Sequence, residues 1–169
     1  MKEIDYSELN FNPMTMVAKK WMLVTAGTMD EYNTMTVSWG HLGSLWGHGG
    51  GRPTVVVYIR PQRYTKKFVD ESDYFTVSVY PEEFKKDLSY LGTHSGKDED
   101  KVSETSLTPV SVGESVTFQQ AELTFLCRKL YVGRITEEGF VDKFIIEDNY
   151  PLKDFHYVYI GEIERTFVE

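Results

Sequence analysis

A chain of 169 residues in which 41% of the side chains are hydrophobic and 14% aromatic suits one domain, residues 1–169, with a sizeable core, and excludes a disordered polymer. Its 26 acidic against 18 basic residues, a formal charge of -8, exclude nucleic acid and anionic membranes as partners, because both demand an extended basic surface. One cysteine, no apolar leader and no run long enough to cross a bilayer lead to the expectation of a reducing, cytoplasmic setting without disulfides.

In chain order, Asn12 can cap a helix that Pro13 begins, so a short helix is expected over Pro13 to Lys20. Trp21 to Ala26 reads as a strand and Gly27 to Tyr32 as a turn. The alternating run from Asn33 to Trp39 is then the antiparallel partner. It puts Thr34, Thr36 and Ser38 on one face and Met35, Val37 and Trp39 on the other. This row of hydroxyls either faces water or offers hydrogen bonds to a ligand. From Gly40 to Pro53 the chain holds Gly43, Gly47, Gly49, Gly50 and Gly51, and a mobile loop is expected. It lacks the Lys-Ser/Thr ending of a phosphate-binding Walker loop and the helix-opening spacing of a Rossmann fingerprint.

An apolar strand, Val55 to Ile59, ends in Arg60-Pro61-Gln62-Arg63-Tyr64-Thr65 and runs into a helical segment with Lys66 and Lys67. Four basic side chains and no acid within eight positions is unusual for so acidic a chain. Either the cluster is a solvated turn, or Arg60, Arg63, the Thr65 hydroxyl and backbone N–H groups at the helix start hold an anion.

Further on, Tyr74 to Tyr80 alternates, with Phe75, Val77 and Val79 expected in the core. Pro81 opens a helix whose Phe84, Leu88 and Leu91 form one apolar stripe, with Gly92 as its end. The polar segment Thr93 to Lys101 reads as a solvated connection. Val116 to Ile135, Lys143 to Glu147 and Phe155 to Ile163 are expected to supply the remaining strands. Within Leu123 to Cys127 the cysteine shares its face with Leu123 and Phe125, which marks a buried structural thiol. Six or more strands with only short helices imply a mainly β fold, a barrel with short peripheral helices. His41, His48, His94 and His156 are scattered without a cysteine cluster, so no metal site is expected. No nucleophile elbow or zincin motif appears.

The strings Asn33-Thr34-Met35-Thr36-Val37-Ser38-Trp39, Tyr58-Ile59-Arg60-Pro61-Gln62-Arg63-Tyr64-Thr65 and Ser95-Gly96-Lys97-Asp98 resemble, in content and order, the flavoredoxin branch of the flavin reductase-like proteins. The likeness runs from about Asn12 to positions 157–163. It implies a split β-barrel that binds FMN, a cofactor whose chemistry leaves no acid–base signature in the sequence. By this resemblance Asn33, Thr34, Met35, Thr36, Val37, Ser38 and Trp39 meet the isoalloxazine edge and ribityl chain. Arg60, Arg63 and Thr65, with Tyr64 nearby, take the phosphate. Ser95, Gly96 and Lys97 close the site, and His156 is a further contact. The family loop corresponding to 40–53 approaches the ring or the substrate opening. The same resemblance implies a homodimer with flavin near the subunit boundary, and an oxidoreductase fed by NAD(P)H or by a redox protein. An FMN electron carrier and a non-catalytic ligand-binding barrel are its alternatives.

Overall fold

The computed structural model describes residues 1–169. Ten strands carry the fold: β1 (Lys2–Ile4), β2 (Met22–Gly27), β3 (Tyr32–Val37), β4 (Gly40–Leu45), β5 (Arg52–Ile59), β6 (Tyr74–Val79), β7 (Pro109–Val112), β8 (Ser115–Phe118), β9 (Leu123–Arg134) and β10 (Tyr157–Val168). The main sheet runs in the order β3-β2-β6-β9-β10-β5-β4, with β1 paired to β10 and β7–β8 forming a separate hairpin. All its pairings are antiparallel.

The connection between β3 and β4 forces this sheet to curl. Laid flat, seven strands at about 4.8 Å spacing hold their two edges about 29 Å apart. Yet the edge strands β3 and β4 are joined only by Ser38 and Trp39, and three Cα steps reach about 11 Å at most. The sheet therefore closes into a barrel with a seam at Ser38-Trp39, the mainly β split barrel implied by the resemblance. Inside lies a cluster of 20 buried residues, among them Met22, Val24, Val37, Val55, Val57, Phe75, Val77, Val79, Phe125 and Tyr159. Cys127 belongs to the same cluster and is fully buried, and burial pushes its thiol pKa up, as a structural thiol requires.

The helices are short, as expected: α1 (Pro13–Thr15), widening into a π-helical turn over Met16–Lys20, α2 (Thr65–Glu71), α3 (Lys85–Thr93) and α4 (Phe144–Asn149). Asn12 Oδ1 caps α1 by accepting from Met14 and Thr15 N–H at 3.0 and 3.2 Å. Leu88 and Leu91 of α3 pack with Leu23, Tyr80 and Phe118 in a second cluster outside β2. No helix is long and apolar enough to cross a membrane.

Three expectations are corrected. Gly40 to Pro53 is not a loop but the β4–β5 hairpin, with β4 paired to β5 from Gly40↔Val57 to Leu45↔Arg52. Its glycines build the reversal, since Gly47, Gly49, Gly50 and Gly51 all have positive φ, a region only glycine enters freely. Lys143 to Glu147 is helical rather than extended. Asp142 Oδ1 accepts from Phe144 N–H at 3.0 Å, a local turn that leads into α4, and no strand pairs with the segment. Gly92 does not end α3, which continues to Thr93. The glycine allows close packing, because a Cβ there would lie 3.2 Å from Thr36 Cβ.

Candidate functional site

Three segments distant in sequence meet on one side of the barrel: β3, the turn from Arg60 into α2, and the chain after α3. Between them is a pocket of about 330 Å³ lined by Asn33, Met35, Arg60, Gln62, Arg63, Tyr64, Thr65, Thr93, His94, Ser95, Gly96 and Lys101. No carboxylate lines it. Side-chain bonds fix its floor. Asn33 is buried and donates from Nδ2 to Thr65 Oγ1 at 2.8 Å, which leaves the Thr65 hydroxyl its own proton to donate. Gly96 lies against this pair: a Cβ there would stand 2.2 Å from Asn33 Oδ1. The N–H groups of Tyr64 and Thr65 have no backbone acceptor.

The three cations differ in how they are held. Arg60 Nη1 meets Asp154 Oδ2 at 2.6 Å and its Nη2 donates to Asn149 O at 2.9 Å. Gln62 donates to the same carboxylate oxygen at 2.8 Å. Hydrogen bonds from Gln62 and then Arg60 hold the Asp154 carboxyl below its ordinary range, so the Arg60 charge is already matched. Arg63 has no carboxylate partner, and its pKa is lowered first by burial and then by Arg60. Lys101 is 3% exposed. Its ammonium donates to Leu91 O at 2.8 Å and His94 O at 3.0 Å, two carbonyls at the end of α3. Burial, then the charge of Arg63, push its pKa down to about 8, with Glu99 opposing. Two neighbouring cations whose charge is disfavoured in this way form a site that an anion stabilises.

The structure thus gathers Asn33, Met35, Arg60, Arg63, Tyr64, Thr65, Ser95 and Gly96 in one place. Other expected residues lie elsewhere. Lys97 is exposed and lines a neighbouring hollow with Asp30, Glu31 and Asp98 to Asp100; Lys101, one turn of chain later, supplies the charge instead. The hydroxyl row neither faces water nor awaits a ligand at its first two positions. Thr34 Oγ1 is 2.8 Å from Thr25 Oγ1 on the outer face of the β2–β3 ladder, away from the core residues Val24 and Met35, and Thr36 Oγ1 donates to Leu88 O, tying β3 to α3. Val37 belongs to the core.

Ser38 and Trp39, at the seam, line a second pocket of about 750 Å³ with Met14, His41, Tyr58, Ile135, Phe140, Ile145, Asn149 and Tyr150. It contains no charged residue. The partition between the pockets is Arg60, Tyr150 and His156. The Arg60 guanidinium lies 5.1 Å from the Tyr150 ring centre, and Tyr150 Oη lies 2.8 Å from His156 Nδ1. The Trp39 ring stands 5.0 Å from His156. His156 is buried, and burial followed by the Arg60 charge lowers its pKa to about 4, so the ring is neutral at ordinary pH. Lys101, Asp154, Asn149 and Tyr150 escape sequence reasoning. Lys101 sits in a charged run indistinguishable from a solvated one, and Asp154 becomes a partner of Arg60 only through the pairing of β10 with β5.

Among solved structures the chain is similar to the flavoredoxin of Desulfovibrio vulgaris, with 21% identity over 100% of this chain and 77% of that one and a TM-score of 0.66. It is also similar to an FMN-binding domain of a flavin reductase-like enzyme from Shewanella baltica, at 12% identity, 99% and 76% coverage and a TM-score of 0.69. The styrene monooxygenase flavin reductase of Pseudomonas putida gives 17% identity, 88% and 79% coverage and a TM-score of 0.61. No curated protein sequence matches the chain. The family model described as the flavin reductase-like domain matches residues 14–168. That match spans both pockets and every strand but β1, and the chain belongs to the flavin reductase-like domain family.

Proposed function

We propose that the protein is an FMN-binding oxidoreductase that accepts reducing equivalents from NAD(P)H or from a redox protein. One observation carries this reading: in a chain of charge -8, Arg63 and Lys101 converge on a pocket without carboxylates, next to a charge-free aromatic pocket. FMN has the matching asymmetry, a dianionic phosphate at one end and a neutral planar ring at the other. Arg63, Lys101, Thr65 and the free N–H groups of Tyr64 and Thr65 hold the phosphate. Asn33 fixes the Thr65 hydroxyl, and Ser95 and Gly96 close the pocket. Ser38, Trp39 and Tyr58 border the ring. Bound FMN supplies the two-electron chemistry, which no side chain here provides. Arg60, locked to Asp154, lies against the Tyr150 ring and fixes the wall between the two pockets rather than holding the phosphate.

The apolar rim supports a homodimer. Val141, Leu152, Met14 and Phe144 are 99%, 83%, 76% and 75% exposed, beside or near the aromatic pocket, and a second copy covering them buries this surface. The same exposed rim favours a second reading, an FMN electron carrier that docks a redox protein there. The buried lone thiol and the absence of any requirement for disulfides suit the cytoplasm.

The test is a fluorescence-quenching titration of the protein with FMN and with riboflavin, followed by anaerobic addition of NADH or NADPH. FMN is expected to bind at least about tenfold more tightly than riboflavin, the low end of one charge-assisted bond. Equal affinity refutes the phosphate assignment, and a protein that quenches neither refutes the flavin reading. Bleaching of the flavin by dithionite but by neither nucleotide replaces the reductase with the carrier.

A further inference from the structure

The polar pocket shares a wall with a second chamber. Asn33, Gly96 and Lys101 line it and also line a neighbouring hollow of about 500 Å³. The two chambers are opposite in charge. The pocket holds no carboxylate, whereas Asp30, Glu31, Asp98, Glu99 and Asp100 all line the hollow. Lys97 and Lys101 are its two cations, and the Lys101 ammonium is turned to the carbonyls of Leu91 and His94. Two of the five carboxylates have partners: Glu31 lies 3.9 Å from the Lys67 ammonium, and Glu99 accepts from the Tyr90 hydroxyl at 3.2 Å. Asp30, Asp98 and Asp100 are exposed.

Size does not bar a ligand that runs from one chamber into the other. A hollow of about 500 Å³ falls within the range, about 300–1,000 Å³, of pockets that hold drug-sized molecules, so a nucleoside has room. Charge decides instead. A terminal phosphate monoester brings its whole dianionic charge to Arg63, Lys101 and the buried Thr65 hydroxyl, whose proton has no acceptor in the protein. Joining that phosphate to a second one takes a charge out of the pocket and sets another beside the shared wall, facing the carboxylates. Like charges there repel. We infer that this protein selects FMN over FAD, whose flavin phosphate is extended by adenosine monophosphate, and that the acidic hollow beside the phosphate pocket makes the selection. The hollow acts as a barrier and not as a site. It discriminates by unfavourable charge against the longer ligand, while the contacts common to both stay the same. The place of the phosphate rests on the flavin reading; the charge contrast between the chambers does not.

The experiment is calorimetric titration of the flavin-free protein with FMN, FAD and riboflavin. FMN is expected to bind at least about tenfold more tightly than FAD, the sum of several exposed like-charge contacts worth up to about fivefold each. The triple variant Asp30→Asn/Asp98→Asn/Asp100→Asn keeps the side-chain shapes and removes three charges, and FAD is expected to gain at least about fivefold relative to FMN. Lys97→Glu adds to the barrier, and FAD is expected to lose about two- to fivefold relative to FMN. Riboflavin, which has no phosphate, is expected to change less than about twofold in either variant. FAD binding as tightly as FMN to the parent overturns the inference but leaves the flavin reading standing. A ratio of FMN to FAD affinity that neither variant moves also overturns it, because shape or another exit then makes the selection. If the triple variant also weakens riboflavin, the fold is damaged and Lys97→Glu alone decides. A parent that binds none of the three loses the flavin reading, and this inference with it.

Discussion

The two pockets share the Arg60 partition but are built in opposite ways. In the polar one nearly every group is immobilised by another: Asn33 by Thr65, Lys101 by two carbonyls, Gly96 by its contact with Asn33. The aromatic one is bounded by a seam and by α4, whose Phe144 and Ile145 are exposed. Preorganised donors suit a small anion of fixed shape, since the ordering is done before the ligand arrives. Open aromatic walls suit flat ligands whose outlines differ, or a surface that a second chain completes. On the proposed FMN reading, this division holds the phosphate end of the cofactor while leaving the ring end open to a partner.

The comparison breaks first at Arg63. Arg63→Glu puts a carboxylate into the pocket assigned to the phosphate, and FMN is expected to bind about a hundredfold more weakly or worse, while riboflavin changes less than about threefold. Parallel fluorescence titrations check it, and equal losses for the two ligands show that Arg63 supports the ring or the fold.

Next is Gly96→Ala. Its Cβ collides with Asn33 Oδ1, so either the segment after α3 or the Asn33–Thr65 pair must move. About 1–3 kcal/mol of stability is expected to be lost in urea unfolding, with FMN weakened about tenfold, the value of a single lost bond to a charged group. A variant as stable and as tightly bound as the parent shows that the pocket is not preorganised.

A smaller effect separates the pockets by pH. The Lys101 pKa is lowered from its ordinary value near 10.5 to about 8, so the flavin-free protein loses this proton before the unfolded chain does. Between about pH 8 and 10.5 the unfolded state binds more protons, and stability is expected to rise with pH across that window. FMN affinity must run the other way, falling above pH 8 as the ammonium facing Arg63 and Glu99 discharges, because the phosphate is already dianionic there. Lys101→Met flattens both slopes. A parent protein whose FMN affinity is constant from pH 7 to 9.5 removes Lys101 from the phosphate site. At the acid end, the depressed pKa of His156, about 4, means that stability is lost as pH falls from 6.5 through 4.

Smallest is Arg60→Ala. Because Asp154 already neutralises this guanidinium, FMN and riboflavin are both expected to weaken by only about two- to fivefold, in line with a modest change of one ordinary hydrogen bond's worth. A loss confined to FMN makes Arg60 a direct phosphate ligand.

Much of this was legible in the chain. Asn33, Arg63 and Thr65 stand out because a period-2 strand and a basic turn are local patterns. The core strands Val55–Ile59 and Tyr74–Tyr80 are legible for the same reason. The glycine-rich hairpin was not, since its turn residues outnumber the apolar ones that mark a strand. Nor was α4, where Ile145 and Ile146 imitate a strand and the chain finds no strand to pair with.

By itself, then, the sequence determined what periodicity and local charge can encode: a mainly β chain with one buried thiol, a polar strand and a basic turn. Tertiary structure alone decided which cations are free. Arg60 and Arg63 are equivalent in sequence, but the segment leading into β10 brings Asp154 to one and not to the other. Lys97 and Lys101 share one charged run, but only the second reaches the carbonyls of Leu91 and His94. The physical reason is range: hydrogen-bond partners lie within about 3 Å in space, and the fold brings together groups about ninety positions apart along the chain, as with Arg60 and Asp154.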